Sequence, residues 1–546
     1  MPERLHADST IHRPARPTAR RPAAAGLLVL LSLLLNIAGA VAQPATVGRA
    51  SGLPDFQREC EILIDAASLR GGSVSVSVID ADTGEAFVRI DEDAPMTPAS
   101  TMKLLTTGAA LHVLGSDFRF RTRLLWDEGR MMVVGDGDPG FGDPVLLADT
   151  PIATMAPGQE VMLEHGSGRG ELDVDELLDL WVRSVVDAGI TEIRELVIDD
   201  RIFDRQYVHE SWPRNQLSRH YCAGVAGINF HSNILSFHPF PTSRGGVDPG
   251  PSIPRASFIR IENSATADRS RPGTASVERH IGSDQLILMG NVRIAYEFPL
   301  RVTVNDPPEF FARLLAERFE RAGIHVRTWT LADPQAPAPR GRPIAPEVIT
   351  PLQRVLERAN ADSHNLSAEA LFKRIAAHQG QMPATFDGAA AFVRDAVRER
   401  LQDIRLDSRL KVADGSGLSR ENEVPASLLT RWLRSFHQDQ DLAPLFRASL
   451  AVMGETGTLR RRLTDPPPPS GERASATSRH VPRGVVVRAK SGTIDGVSGL
   501  AGYVIGPDRT LCFSIMVNGY SGSSGPARDL QDRIVMRLAE GVAPDP

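Results

Sequence analysis

The sequence predicts an α+β fold, an antiparallel sheet with helices packed to one side, whose chain is interrupted by a long and mainly β stretch. Three observations predict it. Alternating apolar residues mark a hairpin near the start of the chain, and three further strands joined by short turns lie near its end. Helical periodicity is concentrated over residues 352–401 and returns at 527–540. Over residues 121–345 the texture changes to short strands separated by many Gly and Pro residues.

Taken in order, Val74, Val76 and Val78 alternate with serines, residues 80–84 form a turn, and residues 86–90 return as a second strand. A helix is expected from Pro98-Ala99-Ser100 through Leu104, Leu105, Ala109, Ala110, Leu111 and Leu114. It is apolar on nearly every side, the pattern of a central buried helix. The stretch 121–345 holds two clear helical patterns, at 174–188 and 308–322, and a Pro-rich linker follows at 333–346. Helices are then expected at 352–358, 367–377 and 388–401, ahead of the loop Asp414-Gly415-Ser416-Gly417-Leu418-Ser419. Residues 466–478 are polar and Pro-rich and read as a mobile loop. Strands at 485–490, 500–505 and 510–517 and a helix at 527–540 complete the pattern.

At 546 residues the chain is too long for one ordinary core, and about two to four domains are expected. A hydrophobic share of 42% can fill such cores, and a net charge of -6 excludes the basic excess that nucleic acid or an anionic membrane surface would call for. Arg4, Arg13, Arg16, Arg20 and Arg21 precede an apolar run centred on residues 27–35, which ends in Ala40-Val41-Ala42. That order is a secretory signal peptide over 1–42, and it implies export to the periplasm. The alternative, a retained anchor, is disfavoured by a core that is short and broken by Asn36. Cys60, Cys222 and Cys512 are the only cysteines, too few for a disulfide framework; one bridge is possible, with nothing to select the pair. No repeat, coiled coil or paired C-x-x-C occurs, so neither a metal nor another cofactor is expected.

Of 61 basic residues only Lys103, Lys373, Lys411 and Lys490 are lysine. A chain so biased to arginine keeps lysine where an amine must lose its proton or act as a compact charge. Ser100-Thr101-Met102-Lys103 places a hydroxyl and an amine one helical turn apart. Lysine can activate that serine only if its pKa falls from about 10.4 towards about 7, which burial and a second cation both favour. The S-x-x-K pattern alone is weak, because Ser408-Arg409-Leu410-Lys411 also fits, in a strand-like stretch without an apolar helix. Two further patterns accompany the first. Ser363-His364-Asn365 has the form S-x-N, and Lys490-Ser491-Gly492-Thr493 has the form K-[ST]-G at a strand end. Gly492 would let a substrate backbone approach the strand edge, which can pair with an extended peptide.

Two decoys are set aside. Gly135-x-Gly137-x-x-Gly140 imitates a dinucleotide fingerprint, but Pro139 and Pro144 are expected to forbid the helix that would hold a pyrophosphate. No G-x-S-x-G elbow supports a Ser-His-Asp triad.

On these three motifs, and on Gly135-Asp136-Gly137-Asp138-Pro139, the Asp414 loop and residues 454–459, the chain resembles a known family. This is the D-alanyl-D-alanine carboxypeptidase/endopeptidase family of low-molecular-mass penicillin-binding proteins, the kind with a large insertion. The resemblance covers essentially the whole chain after the leader. It implies a transpeptidase/β-lactamase-like catalytic domain built from 43–120 and 346–546, with 121–345 inserted as one or two smaller, mainly β domains. It also implies a serine-type peptidase of peptidoglycan stem peptides, inhibited by β-lactams, working through an acyl-enzyme on Ser100 with Lys103 as base. By the same resemblance Ser363 passes a proton to the leaving amine and Asn365 holds the substrate amide. Lys490, Ser491 and Thr493 bind the terminal carboxylate, and the N–H groups of Ser100 and Thr493 form the oxyanion hole. The chain departs from the family pattern at His364, where Asp is common, at Ser491, where Thr is common, and in the length of 143–170. Two other readings stand beside this one. A β-lactamase-like esterase is disfavoured by the insertion and by Ser363 in place of tyrosine, and a non-catalytic cell-wall binding protein by the intact Ser100 and Lys103.

Overall fold

The computed structural model describes residues 55–149, 160–163, 172–403, 409–464 and 480–544. The leader at 1–42 and the Pro-rich loop at 466–478 lie outside the described residues, as does part of 143–170.

The described chain opens with a helix that the sequence reading did not anticipate, α1 (Phe56–Asp65), whose Phe56, Cys60 and Leu63 are buried. β1 (Ser73–Asp80) and β2 (Ala86–Ile90) form the expected hairpin. A single 3-10 turn, Ala99–Met102, then carries Ser100 into α2 (Lys103–Leu114). Every residue of α2 from Lys103 to Leu111 is buried, as a helix apolar on all sides requires.

β3 (Arg119–Asp127) and β4 (Arg130–Val134) begin a seven-stranded sheet, which also includes β5 (Glu195–Asp199). Two amphipathic helices pack on it through an apolar cluster centred on Leu177, Trp181, Phe311 and Leu315: α3 (Val174–Asp187) and α4 (Pro307–Arg321). A third, short helix, Pro144–Ala148, is also present. Pro144 sits in its first turn, where a missing N–H costs nothing, so that proline starts a helix where the sequence reading had it forbid one. The glycines of the dinucleotide decoy are used in packing: Gly135 N–H and Gly137 N–H donate to the Asp199 and Gly227 carbonyls. The linker does not hang free. Arg342 and Pro343 pair with β3, and Arg201 donates to the Asp333 and Pro337 carbonyls. β6 (Glu347–Pro351) pairs with β3 as well, so this sheet starts at Arg119 and ends at Pro351, reaching past both ends of 121–345.

The chain then returns through α5 (Leu352–Asn360), α6 (Asn365–His378) and α7 (Phe386–Leu401). α8 (Ala426–His437) was not foreseen, although Leu428, Leu429, Trp432, Leu433 and Phe436 have helical spacing and are all buried. β7 (Ala451–Val452), β8 (Val486–Ile494), β9 (Val497–Ile505) and β10 (Thr510–Asn518) join the hairpin in one six-stranded sheet, ordered β7-β8-β9-β10-β1-β2. All its pairings are antiparallel. α1 and α9 (Gly525–Val542) pack on one face around Leu530, Ile534 and Leu538, and α2, α6, α7 and α8 on the other around Leu104, Leu371 and Trp432. The sheet is therefore covered on both faces, where the sequence reading had helices on one. Among the described residues Cys60, Cys222 and Cys512 are all buried free thiols, so the possible bridge is not formed.

Candidate active site

α2 is the axis of the site. Ala99, just before Ser100, has φ of 46°, a conformation that costs a non-glycine residue about 1 kcal/mol or more and is tolerated where the surroundings enforce it. The enforcement is visible. The Asp414 carboxylate accepts N–H bonds from Gly417 at 2.8 Å and Ser419 at 2.7 Å, and so curls the loop after β-like residues 411–413 against the nucleophile turn. A Cβ on Gly417, φ +78°, would lie 1.8 Å from the Ala99 carbonyl oxygen, so only glycine permits this approach.

Lys103 is wholly buried, and its Nζ donates to Ser100 Oγ at 3.1 Å, Asn365 Oδ1 at 2.7 Å and the Ser416 carbonyl at 2.7 Å. All three acceptors are neutral. Burial lowers its pKa to about 8, against the opposing pull of Glu369 and Asp414. Ser363, at φ of 60° between α5 and α6, accepts from Lys490 Nζ at 2.9 Å, and the same amine donates to the Ser491 carbonyl at 2.6 Å. Burial, then the charge of Lys103, hold the Lys490 pKa well below its ordinary value. Electrostatic repulsion is mutual, so each ammonium disfavours the other.

A cleft of about 560 Å³ exposes Ser100, Ser363, Asn365 and Thr493 together. Lys103 and Lys490 stand behind it, fully buried. Beyond Ala489, β8 has no described partner strand on the β7 side, which leaves the edge at 490–494 open beside Ser100. Ser491 is turned away, with its Oγ 3.0 Å from Thr458 Oγ1. Thr493 Oγ1 accepts a long bond from Arg528 Nη2, 3.4 Å. Gly492 differs from the sequence reading. A Cβ there would lie 2.6 Å from the Ser100 nitrogen and 2.9 Å from that of Thr101, so the missing side chain lets the strand close on the nucleophile turn itself. The K-[ST]-G motif also lies inside β8, which runs on to Ile494, and not at its end.

Sequence reasoning missed three groups of contributors. Ser211, Pro213, Gln216 and Tyr221 line the cleft from the stretch expected to be an insertion, and the Tyr221 carbonyl accepts from Asn365 Nδ2 at 2.7 Å. Arg420 and Asp495 line its rim. Glu369, wholly buried on α6, accepts from the Gly415 and Ser416 N–H groups at 2.9 Å and 2.8 Å. Only its spacing, four residues from both Asn365 and Lys373, could have drawn attention to it. His364, the departure from the family pattern, holds Ser367 Oγ at 2.8 Å through Nδ1. Burial, Arg358 and Lys103 push its pKa to about 3, so it is neutral. Lys411, of the second S-x-x-K pattern, is an exposed partner of Glu423; Ser408 lies outside the described residues. No group of side chains among the described residues could hold a metal ion.

Residues 59–540 match the D-Ala-D-Ala carboxypeptidase 3 (S13) family. The chain belongs to that family. Its activity is that of a serine-type D-Ala-D-Ala carboxypeptidase, a hydrolase. It is 29% identical to a D-alanyl-D-alanine carboxypeptidase of Actinomadura sp. (strain R39), over 96% of this chain and 91% of that one. It is 25% identical to a carboxypeptidase of Mycobacterium tuberculosis, over 92% of this chain and 86% of that one. The crystal structure of penicillin binding protein 4 from Haemophilus influenzae shares the fold, with a TM-score of 0.67 at 21% identity over 88% of this chain and 98% of that one. The same Haemophilus protein in complex with a β-lactam gives a TM-score of 0.64. The transpeptidase/β-lactamase-like α+β fold expected from the motifs is thus the fold of the S13 chain.

Proposed function

We propose that Ser100 is the nucleophile and Lys103 its base in hydrolysis of the terminal D-Ala-D-Ala bond of peptidoglycan stem peptides. The observation that carries this is the buried Lys103 amine, held 3.1 Å from Ser100 Oγ by neutral acceptors and with its pKa lowered to about 8. A neutral amine takes the proton as Ser100 Oγ bonds to the penultimate D-Ala carbonyl carbon. The N–H groups of Ser100 and Thr493 face the developing oxyanion, which the close approach at Gly492 supports. Collapse breaks the C–N bond. The proton reaches the departing D-alanine nitrogen through Ser363, whose hydroxyl is backed by Lys490. Water then adds to the acyl-enzyme and loses a proton to Lys103, which passes it to Ser100 Oγ as the ester C–O bond breaks, so that the shortened peptide leaves and the hydroxyl and free amine are restored. Asn365 fixes the base and orients the substrate amide, and Thr493 takes the terminal carboxylate with the buried Lys490 charge behind it; Ser491, expected to share that role, is bonded to Thr458 and turned away.

On this reading the six-stranded sheet and its helices do the chemistry, and 121–345 is an insertion that shapes the cleft through Ser211, Pro213, Gln216 and Tyr221. β-Lactams acylate the same serine, and the 1–42 leader, with its basic start, apolar core and Ala40-Val41-Ala42 end, directs the enzyme to the periplasm.

The test is peptide mapping after exposure to penicillin, with D-alanine release from a D-Ala-D-Ala peptide measured alongside. An adduct on Ser100 and loss of both signals in Ser100→Ala are expected. An adduct on Ser416, or full activity in Ser100→Ala, would overturn the assignment.

A further inference from the structure

Asn365, Glu369 and Lys373 recur every fourth residue on α6 and so form one stripe along the helix. Asn365 meets Lys103 and the Tyr221 carbonyl, and Lys373 meets Asp204 and the Gln206 carbonyl. Glu369 lies between them and touches no reacting group. Its Oε2 accepts from Gly415 N–H and its Oε1 from Ser416 N–H. The carbonyls of the same two residues point the other way, into α2: that of Gly415 accepts from Thr106 Oγ1 at 2.7 Å and that of Ser416 from Lys103 Nζ at 2.7 Å. The Gly415–Ser416 peptide group is thus clamped between a buried carboxylate and the nucleophile helix, and the next one, Ser416–Gly417, offers its carbonyl to Lys103 while the Asp414 carboxylate holds its N–H.

We propose that Glu369 is a positioning residue of the acylation reaction: it anchors the Gly415–Ser416 peptide group, so that the next one, held at its N–H by Asp414, presents the Ser416 carbonyl to the Lys103 amine, and it is the buried counter-charge against which that amine works. The inference rests on the Ser100–Lys103 reading above.

A carboxylate is required here because both of its oxygens must accept. A glutamine offers one acceptor and turns an N–H toward a donor, an unfavourable meeting in a buried site. The charge matters as well. Burial and Asp414 raise the Glu369 carboxyl while the N–H bonds from Gly415 and Ser416 hold its charged form, and Glu369 is the strongest influence opposing the lowering of Lys103. The charged and titratable groups around the pair are Asp414 on its loop, Lys490 on β8, His364 just before α6, Lys373 on α6, and Asp204 against Lys373. Asp362 acts on Lys490, and Arg358, Asp143 and His220 act on His364. None of these other groups accepts from the Ser416 N–H.

The test is Glu369→Gln, read as the rate of Ser100 acylation by penicillin against pH. Misplacing the base should slow acylation on the order of 100-fold. Losing the negative charge makes protonated Lys103 less favourable, so the acid limb should move to lower pH, by about one pH unit. A role confined to stability would lower the melting temperature and leave the limb in place. A parental rate, or a slow variant with an unmoved limb, would overturn the proposal. Should Glu369→Gln fail to fold, Glu369→Asp carries the test, since it keeps the charge but loses reach: acylation should slow with the limb unmoved, and an unchanged rate would overturn the proposal. The parent protein is mapped first. No adduct on Ser100 there would count against the catalytic reading itself, whereas a Ser100 adduct with an indifferent Glu369→Gln counts only against the role of Glu369.

Discussion

The two ends of α6 hold two lysines that are equally buried and differently employed. Lys373, on the helix itself, is bound to the Asp204 carboxylate and stacked at 4.3 Å over the Phe386 ring. Lys103, contributed by α2 at the Asn365 end, meets a hydroxyl, an amide oxygen and a peptide carbonyl and no carboxylate. Burial lowers the pKa of both, but at Lys373 a carboxylate in direct contact opposes the lowering, whereas at Lys103 the opposing carboxylates, Glu369 and Asp414, make no contact with the amine. Burial alone therefore does not make a lysine a base. The deciding feature is whether its nearest acceptors are neutral, because only then is the ammonium left without the compensation that burial demands.

Substitutions can break or sharpen this contrast. The largest effect is expected at Lys103→Arg, which keeps a cation and removes the base: acylation should fall about 1000-fold, with the circular dichroism spectrum unchanged. A variant acylating within a few-fold of the parent would remove Lys103 from the chemistry. Next comes Lys373→Met. It strands the Asp204 carboxylate beside an apolar group, and urea unfolding should show a loss of about 3 kcal/mol. The folded fraction should acylate at close to the parental rate, and a collapse of that rate would mean the two lysines share one function. The smallest effect is expected at Lys411→Ala, since its pair with Glu423 is exposed. Stability should change by less than about 1 kcal/mol and acylation not at all.

What the sequence made legible was local. Ser100 and Lys103 could be read because four residues of chain and an apolar helix define them, and β9 and β10 because they are short, largely apolar runs bounded by turns. The residues that were missed act through packing between distant segments. Glu369 acquires its partners only when the loop at 414–417 folds onto α6, some 46 residues along the chain. Tyr221 reaches Asn365 across 144 residues, and nothing in its own neighbourhood marks it. Gly492 was legible as a site of close approach, but the sequence could not say that the approaching group is the protein's own Ser100 backbone. The helix α8 is a different case. Its periodicity was present and was passed over beside the loop motif that precedes it.

The central claim is that Lys103 reaches Ser100 as a free amine near neutral pH. The direct measurement is the rate of Ser100 acylation by penicillin from about pH 5 to about pH 10. Burial brings Lys103 down to about 8, and the deprotonated amine is the working form. The rate should therefore rise with pH and reach half its plateau near pH 8. A rate flat across that range, or one still climbing towards the ordinary lysine value of about 10.4, would contradict the account.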